Sequence, residues 1–256
     1  MEIMPTKENK YNQNKNHKKF NVDSDNNFDN NIDIKVDGNI NKNKTVKDTV
    51  ANKRKRKILI IVDVQNDFIT GSLGNDNCVR AAEQIVKKLN NEADKYDGFY
   101  FTKDIHFTDY LETLEGKKLP IEHCIKGTKG SELIDDIQTA IENLKKKKKF
   151  VKVIEKHTFG STSLVCFLKN SNQDYEIEIC GVCTDICVVS NALALRQAMP
   201  NMIIKVNPAC CAGTTKAAHK SALRVMNSCQ IDIIAGGNYK NNIKDTTSSK
   251  NNKNTI

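Results

Sequence analysis

The segment ILIIVDV (residues 58–64) is an apolar run interrupted only by an aspartate near its end. A continuous apolar run of this length predicts a β-strand that is buried on both faces, as in the centre of a parallel sheet. Five more short runs rich in β-branched or aromatic residues predict further strands: GFYFTK (98–103), FVKVI (150–154), YEIEIC (175–180), MIIKV (202–206) and IDII (231–234).

Helix-period segments alternate with these strands. Apolar residues recur at helical spacing from Val79 to Leu89 and from Leu133 to Leu144, and helices are also predicted over residues 161–168, 184–198 and 214–228. Thr184 is placed to cap the helix that it begins. Strands alternating with helices predict an α/β fold, a three-layer arrangement in which a six-stranded parallel sheet carries helices on both faces.

The chain has 256 residues, but its ends differ in composition from its middle. Residues 1–56 and 239–256 are rich in Lys and Asn and have almost no apolar periodicity. Such segments bury too little apolar surface to offset their ordering entropy. We therefore predict disordered tails at residues 1–56 and 239–256, and one globular domain at residues 57–238.

The net charge of +9 owes much to the basic clusters at residues 53–57 and 145–149. They suit either nucleic-acid and anionic-membrane binding or a solvated surface. The solvated surface is favoured because no aromatic residues interleave the clusters for base stacking. The KRKRK cluster also resembles a nuclear-localisation signal. Nine cysteines and no apolar run long enough for a signal peptide or a bilayer span predict a cytoplasmic protein without a membrane partner.

Polar side chains follow four of the predicted strands. Asp63, Asp104, Lys156 and the segment 181–187 all lie at or just past a carboxyl end. Ligands in open parallel sheets bind beyond these ends. We therefore expect the four groups to meet at one edge of the sheet.

Three of these residues could perform nucleophilic chemistry together. Cys187 in GVCTDICVV falls in the first turn of a predicted helix, where backbone amides favour the thiolate. Its alternative role is a buried structural cysteine. Asp63 at the end of an apolar strand needs a partner, and Lys156 could pair with it and with the thiol.

A metal site is predicted after the second strand. Asp104 and His106 form a D-x-H pair, and His123 follows in LPIEHC. One Asp and two His suit zinc, iron or manganese. Glu112 and Glu115 are further candidate ligands, and an ordinary polar loop is the alternative. Cys180 and Cys183 form a C-x-x-C pair, for which a redox or metal role is less favoured because no second pair accompanies it.

Taken together, five segments resemble nicotinamidases and the wider isochorismatase-like cysteine hydrolases over residues 57–235. They are IVDVQNDF (61–68), TKDIH (102–106), LPIEHCIKGTKGSEL (119–133), EKHTFGS (155–161) and GVCTDICV (181–188). The resemblance implies a catalytic triad of Asp63, Lys156 and Cys187.

The same resemblance implies a divalent metal, with zinc expected before iron or manganese, at Asp104, His106 and His123. Glu115 is preferred to Glu112 as a fourth ligand, because some nicotinamidases carry a carboxylate eleven residues after the aspartate. A non-proline cis peptide is implied at Val182–Cys183, with the amides of Cys183 and Cys187 as the oxyanion hole.

The expected activity is hydrolysis of nicotinamide to nicotinate and ammonia in NAD salvage. Phe68 would pack on the substrate ring. Leu119 stands where many nicotinamidases carry a Trp, which keeps a different amidase or a ureido-hydrolase of the same family as the alternative. A basic nucleic-acid-binding or interaction protein is the third hypothesis. The family likeness also suggests a homo-oligomer acting on a small-molecule amide.

Overall fold

The structure is a computed structural model that describes residues 54–171 and 173–234. The predicted tails lie outside these ranges, apart from residues 54–56. Each predicted strand is present: β1 Arg56–Val62, β2 Gly98–Asp104, β3 Phe150–Lys156, β4 Tyr175–Val182, β5 Ile203–Ala212 and β6 Asp232–Ile233.

Seven α-helices connect the strands within the described residues: α1 Asn66–Ile69, α2 Asp76–Glu92, α3 Leu114–Lys118, α4 Asp135–Lys146, α5 Thr162–Asn170, α6 Val189–Ala198 and α7 Lys216–Ser228. A π-helical turn, Thr184–Val188, precedes α6. Short 3₁₀ turns occupy Ala93–Lys95, Tyr110–Glu112 and Lys129–Ser131. Tyr110–Glu112, α3 and Lys129–Ser131 lie in the long polar connection after β2, so that connection has local structure of its own.

The six strands form one sheet in the order β3-β2-β1-β4-β5-β6, and all five pairings are parallel. β1 lies between β2 and β4, and its residues 58–62 are buried. The apolar run at residues 58–64 is therefore explained by its position, because a central strand of a covered sheet contacts apolar neighbours on both faces.

Helices cover both faces of the sheet. α2 packs on β4 and β5 and contacts α4, which packs on β3. α5, α6 and α7 contact one another in sequence and cover the opposite face, against β3 and β5. The predicted three-layer α/β fold is thereby confirmed. None of the helices in the described ranges has both the length and the apolar composition needed to cross a bilayer.

The start of the sheet differs from the predicted domain boundary by a few residues. β1 begins at Arg56, within the segment assigned to the amino-terminal tail. Arg54 forms an ion pair with Asp97 at 2.6 Å, and Lys57 lies 3.6 Å from Glu176. Arg56 and Lys57 of the KRKRK cluster are therefore part of the sheet, and Arg54 and Lys57 form ion pairs beside it.

Candidate active site

Lys156 lies at the centre of a buried cluster at the carboxyl edge of the sheet. Its Nζ is 2.7 Å from Asp63 Oδ2, 3.1 Å from Asp104 Oδ1 and 3.5 Å from Cys187 Sγ. The side chains of Lys156, Asp63 and Asp104 are at most 3% exposed. The structure thus brings together four groups that stand far apart in the sequence, because β3, β2, β1 and β4 are neighbours in the sheet.

The backbone after β1 fixes the direction of the Asp63 carboxylate. Asp63 has a φ of 51°, in the left-handed region that Asp tolerates better than most residues. Thr102 on the neighbouring β2 donates its hydroxyl to Asp63 Oδ1 at 2.6 Å. The carboxylate is therefore held on one oxygen by Thr102 and faces Lys156 with the other.

Cys187 is carried by the π-helical turn after β4. The peptide bond between Val182 and Cys183 is cis, as the family resemblance implied. Gly181, with a φ of 127°, lets the end of β4 lie close to the backbone of Val62 on β1. A side chain at this position would collide with that backbone. The turn consequently begins directly beside the end of β1.

Thr184 does not cap this helix as predicted. Cys183 occupies the N-cap position without a side-chain bond, and Thr184 is the first residue of the turn. The Thr184 hydroxyl instead lies 2.8 Å from His219 Nδ1 on α7. The Thr184 hydroxyl therefore contacts a distant segment, and the π-helical turn begins without a side-chain cap.

The electrostatics of the cluster differ from the expectation of a free thiolate. Burial, and then the charge of Asp63, raise the pKa of the Cys187 thiol, and Lys156 only partly offsets them. Burial also raises the pKa of the Asp63 carboxyl against the opposing effect of Lys156. Because burial of the thiol outweighs the effect of Lys156, the thiolate that the helix start was expected to favour is disfavoured.

A second cluster adjoins the first through Asp104. His106 Nε2 lies 3.0 Å from Asp104 Oδ2, and His123 Nε2 lies 3.9 Å from the same oxygen. One ligand atom from each of the three residues falls within 4.8 Å of the others, and all three residues are buried. His123 Nδ1 is 2.8 Å from the carbonyl of Ile121, an acceptor that leaves Nε2 free to bind a metal. The donor set therefore fits a divalent cation.

Glu115 lies beside this cluster, whereas Glu112 faces solvent. Glu115 Oε1 lies 3.8 Å from His106 Nε2 and its side chain is 25% exposed. Glu112 is exposed at the end of the Tyr110–Glu112 turn. Of the two carboxylates, Glu115 is the one that lies beside the histidines, and its role as a ligand stays a prediction.

The two histidines meet because their segments run side by side. His106 and Ile125 form an isolated parallel bridge, with His106 N donating to Cys124 O and Lys126 N donating to His106 O. The ring of Tyr110 packs on both histidines, at 4.7 and 5.0 Å between centroids. The loop that carries His123 is thereby fixed against the end of β2.

The buried Gln65 and the half-buried Asp67 position the segments that carry Asp104 and His123, and neither residue was singled out from the sequence. Gln65 Nε2 donates to the carbonyls of Asp104 and Ser131, and Gln65 Oε1 accepts from Asp104 N at 2.7 Å. Asp67 Oδ2 accepts from the amide of Cys124 at 2.7 Å. A buried glutamine directly after a buried strand is the signal that could have identified Gln65, because a buried amide needs hydrogen-bond partners.

Asn191 performs a similar task for the thiol-bearing turn. It is fully buried on α6, and its Nδ2 donates to Cys187 O at 2.8 Å and to Phe159 O at 3.2 Å. Its Oδ1 accepts from Ser161 N. Asn191 therefore ties the loop after β3 to the turn that carries Cys187, a role that sequence spacing did not reveal.

A cavity of about 790 Å³ opens above both clusters. Cys187, Cys183, Asp104, Glu115 and His123 line one part of it. The remaining lining is mostly apolar and includes both residues predicted to contact substrate, Phe68 and Leu119, with Leu73, Leu114, Phe159 and Ile186. The Phe68 ring also packs on His123 at 5.5 Å. The structure thus brings the predicted substrate-binding residues to the same space as the predicted catalytic and metal residues.

The C-x-x-C pair does not form a metal site. Cys180 Sγ is buried against β1, 3.7 Å from the carbonyl of Ile60, while Cys183 faces the cavity. All nine cysteines belong to the described residues, and all are free thiols. Within those residues Asp104, His106 and His123 form the one group with metal-ligand spacing.

Comparisons with known proteins agree with this geometry. The sequence model of the Isochorismatase domain matches residues 57–236. A nicotinamidase/pyrazinamidase of Mycobacterium tuberculosis is 30% identical over 193 residues, 70% of this chain and 98% of the relative. A nicotinamidase of Schizosaccharomyces pombe is 25% identical over 206 residues, 69% of this chain and 92% of that protein.

A solved structure gives the same result for the fold. The crystal structure of a pyrazinamidase/nicotinamidase from Streptococcus mutans superimposes with a TM-score of 0.61 at 26% identity, over 70% of this chain and 99% of that one. The family match, over residues 57–236, spans well over half of the chain. The chain therefore belongs to the isochorismatase family.

Proposed function

We propose that this protein is a nicotinamidase, a hydrolase that converts nicotinamide and water to nicotinate and ammonia through a thioester on Cys187. The observation that carries the proposal is the position of Lys156 Nζ, 2.7 Å from Asp63 Oδ2 and 3.5 Å from Cys187 Sγ at one end of the cavity. The names of the two curated relatives support the substrate.

The first half-reaction begins with proton transfer. Asp63 accepts the proton of Cys187, a transfer that suits two groups whose pKa values are both raised by burial. The Cys187 sulfur then attacks the carboxamide carbon, and Lys156 stabilises the negative charge of the cluster. Asp63 returns the proton to the departing nitrogen, which leaves as ammonia. Water then attacks the thioester, and nicotinate is released as Cys187 regains its proton.

The tetrahedral intermediates need donors for their oxyanion. In this proposal the backbone amides of Cys183 and Cys187 supply them, because both residues line the cavity next to the Cys187 sulfur. Phe68 packs against the substrate ring, and Leu119 forms part of the opposite apolar lining.

Asp104, His106 and His123 would hold a divalent metal, with Glu115 as the further ligand and zinc as the expected ion before iron or manganese. When bound, the metal supplies a Lewis-acidic point that can hold the ring nitrogen of the substrate. Asp104 links this site to the triad, because its other oxygen contacts Lys156.

The direct test is ammonia release from nicotinamide by the purified full chain with metal restored, assayed with and without a chelator. We expect turnover that the chelator abolishes and that added zinc, iron or manganese restores. No ammonia release under any of these metals would refute the proposed substrate.

A different amide or a ureido compound within the same family is the second candidate. Leu119 and the large apolar part of the cavity favour it, because they leave more room than nicotinamide needs. A panel of small amides and ureido compounds, compared by kcat/KM, separates the two candidates. A role in NAD salvage, a cytoplasmic location and a homo-oligomeric state accompany the proposal as predictions.

A further inference from the structure

Most of the exposed large apolar side chains lie in two connections beyond the carboxyl edge of the sheet. Among the described residues the exposed large hydrophobic side chains are Phe107, Leu111, Leu114, Ile121, Val153, Phe159 and Val225. Five of these seven belong to the connections that follow β2 and β3, beyond the carboxyl edge of the sheet. Exposed apolar side chains that border a cavity can form part of a binding site.

Two of the five extend the cavity lining outward. Leu114 is 72% exposed and Phe159 is 45% exposed, and both line the cavity together with the half-buried Leu119. These three residues, which we term the apolar rim, lie beyond the end that contains Cys187 and His123. The cavity therefore continues from a polar floor to an apolar outer part.

The apolar rim is held by specific contacts. Tyr110 donates its hydroxyl to Leu119 O at 2.9 Å, and Asn191 Nδ2 donates to Phe159 O. Leu114 begins α3, which Thr113 caps by accepting from Gly116 N at 3.0 Å. Gly116 lets α3 lie directly on the backbone of Tyr110, where any side chain would collide. A rim fixed in this way can bind a ligand with little ordering cost.

The cavity is larger than the substrate of the proposed function. Its volume of about 790 Å³ lies within the range of about 300–1,000 Å³ that encloses drug-sized ligands. One aromatic ring with a carboxamide is much smaller than such a ligand. If the amide sits at Cys187 and the ring lies near Phe68 and His123, the apolar rim stays uncovered.

We propose that the protein accepts aromatic carboxamides bearing an apolar substituent, and that the apolar rim binds this substituent. This proposal rests on the proposed function. The ring carbon adjacent to neither the ring nitrogen nor the carboxamide-bearing carbon is the attachment point that crowds neither the metal ligands nor Cys187. Leu114, Leu119 and Phe159 offer the substituent apolar contacts and no charge.

The kinetic signature follows from where the binding energy acts. Contacts far from the reacting carbonyl are the same in the ground state and the transition state, so they lower KM and leave kcat nearly unchanged. Each buried methylene strengthens binding by roughly fourfold. For 5-propylnicotinamide we therefore expect a KM at least about tenfold below that of nicotinamide, with kcat changed by less than about threefold.

The experiment measures both constants for nicotinamide and 5-propylnicotinamide with the metal-loaded full chain. Leu114→Ser should bring the two KM values together, whereas Val225→Ser, which changes an exposed residue on α7, should leave both as in the original protein. A 5-propylnicotinamide KM equal to or above that of nicotinamide overturns the inference. So does a change in sedimentation coefficient on Leu114→Ser, because the rim would then be a subunit interface.

Calorimetric titration of both compounds into the Cys187→Ala variant separates the two proposals. Tighter binding of 5-propylnicotinamide without turnover of either compound by the original protein would support the rim and refute the nicotinamidase assignment. Turnover of nicotinamide with no gain in affinity for the propyl compound would support the nicotinamidase assignment and refute the role of the apolar rim.

Discussion

Two buried lysines in this protein each lie between two carboxylates, yet their surroundings differ. Lys156 contacts Asp63 and Asp104 at the carboxyl edge of the sheet. Lys88 on α2 lies 3.0 Å from Glu178 of β4 and 3.2 Å from Glu92, and its side chain is only 9% exposed. Opposing carboxylates raise the pKa of both lysines against the effect of burial.

The difference between the Lys156 and Lys88 clusters is access. Each cluster includes a thiol that feels the charge of its lysine: Cys187 beside Lys156, and Cys210 near Lys88. Cys187 lines the large, mostly apolar cavity, whereas the cavity beside Lys88 is about 270 Å³ and its lining does not include Cys210. Tyr96 closes the Lys88 cluster by donating its hydroxyl to Glu178. A buried lysine–carboxylate cluster with perturbed pKa values is therefore weak evidence for catalysis until a reactive group in it meets open space.

The strongest test of the difference between the two clusters is to remove each thiol separately and compare the activities. Cys187→Ala should lower kcat by at least about 10⁴-fold, because the covalent step is lost. Cys210→Ala removes a thiol of similar burial from the other cluster and should leave kcat within about twofold. Ammonia-release kinetics on both variants provide the measurement. Residual activity of Cys187→Ala above about 1% would contradict the nucleophile assignment.

Removing the lysines tests the two clusters next. Lys156→Met leaves the buried Asp63 carboxylate without a charged partner, so we expect a loss of about 3–5 kcal/mol in the free energy of unfolding and no turnover. Lys88→Met should lower stability by about 1–3 kcal/mol, because Glu92 remains solvated, and should keep kcat/KM. Urea unfolding and steady-state kinetics measure both. Equal losses of activity from the two variants would show that the clusters do not differ in role.

A smaller effect is expected from Gln65, which holds the backbone of Asp104 beside Lys156. Gln65→Ala should weaken metal affinity by about 10–100-fold, with activity recovering at high metal concentration. Gln138→Ala removes another side-chain-to-backbone bond, to Leu133 O, and should leave metal affinity unchanged. Metal titration followed by calorimetry gives the readout. Loss of activity that no metal concentration restores would mean that Gln65 acts on something other than the metal site.

The smallest expected effect is the pH response of the Lys88 cluster. Burial works to raise the pKa of Glu92, but Lys95 and Lys88 outweigh it, so the pKa is lowered from 4.5. A lowered pKa contributes stability that is present above the ordinary value and is lost as pH falls through the lowered one. Because Glu92 is 35% exposed, the contribution should stay below about 1 kcal/mol. Urea unfolding near pH 5.5 and pH 3 should show a smaller acid loss for Lys88→Met than for the original protein.

Most of the fold was predictable because it depends on local patterns. The apolar run ending in Asp63, the helical spacing of α2 and the alternation of strands with helices each fix a local structure, and their order implies the parallel sheet. Asp63, Asp104, Lys156 and Cys187 were predictable for the same reason, since each follows a strand whose end the sequence already marks.

The remaining features depend on which segments become neighbours. Thr184 was expected to act as a cap, but the approach of α7 brings His219 to its hydroxyl. A thiolate was expected at Cys187, but burial and the charge of Asp63 raise the pKa of the thiol instead. Both errors arise because a local rule was applied where a distant segment supplies the larger energy.

The sequence by itself thus determined the strands, the helices and the kinds of side chain at the strand ends, because hydrophobic period and residue type act over a few residues. Only the tertiary structure decided that Lys156 contacts both Asp63 and Cys187, that Gln65 and Asp67 hold the segments that carry Asp104 and His123, and that the apolar rim opens beyond them. Distances, enclosure and charge balance at a site depend on residues brought from distant parts of the chain, and no local pattern contains them.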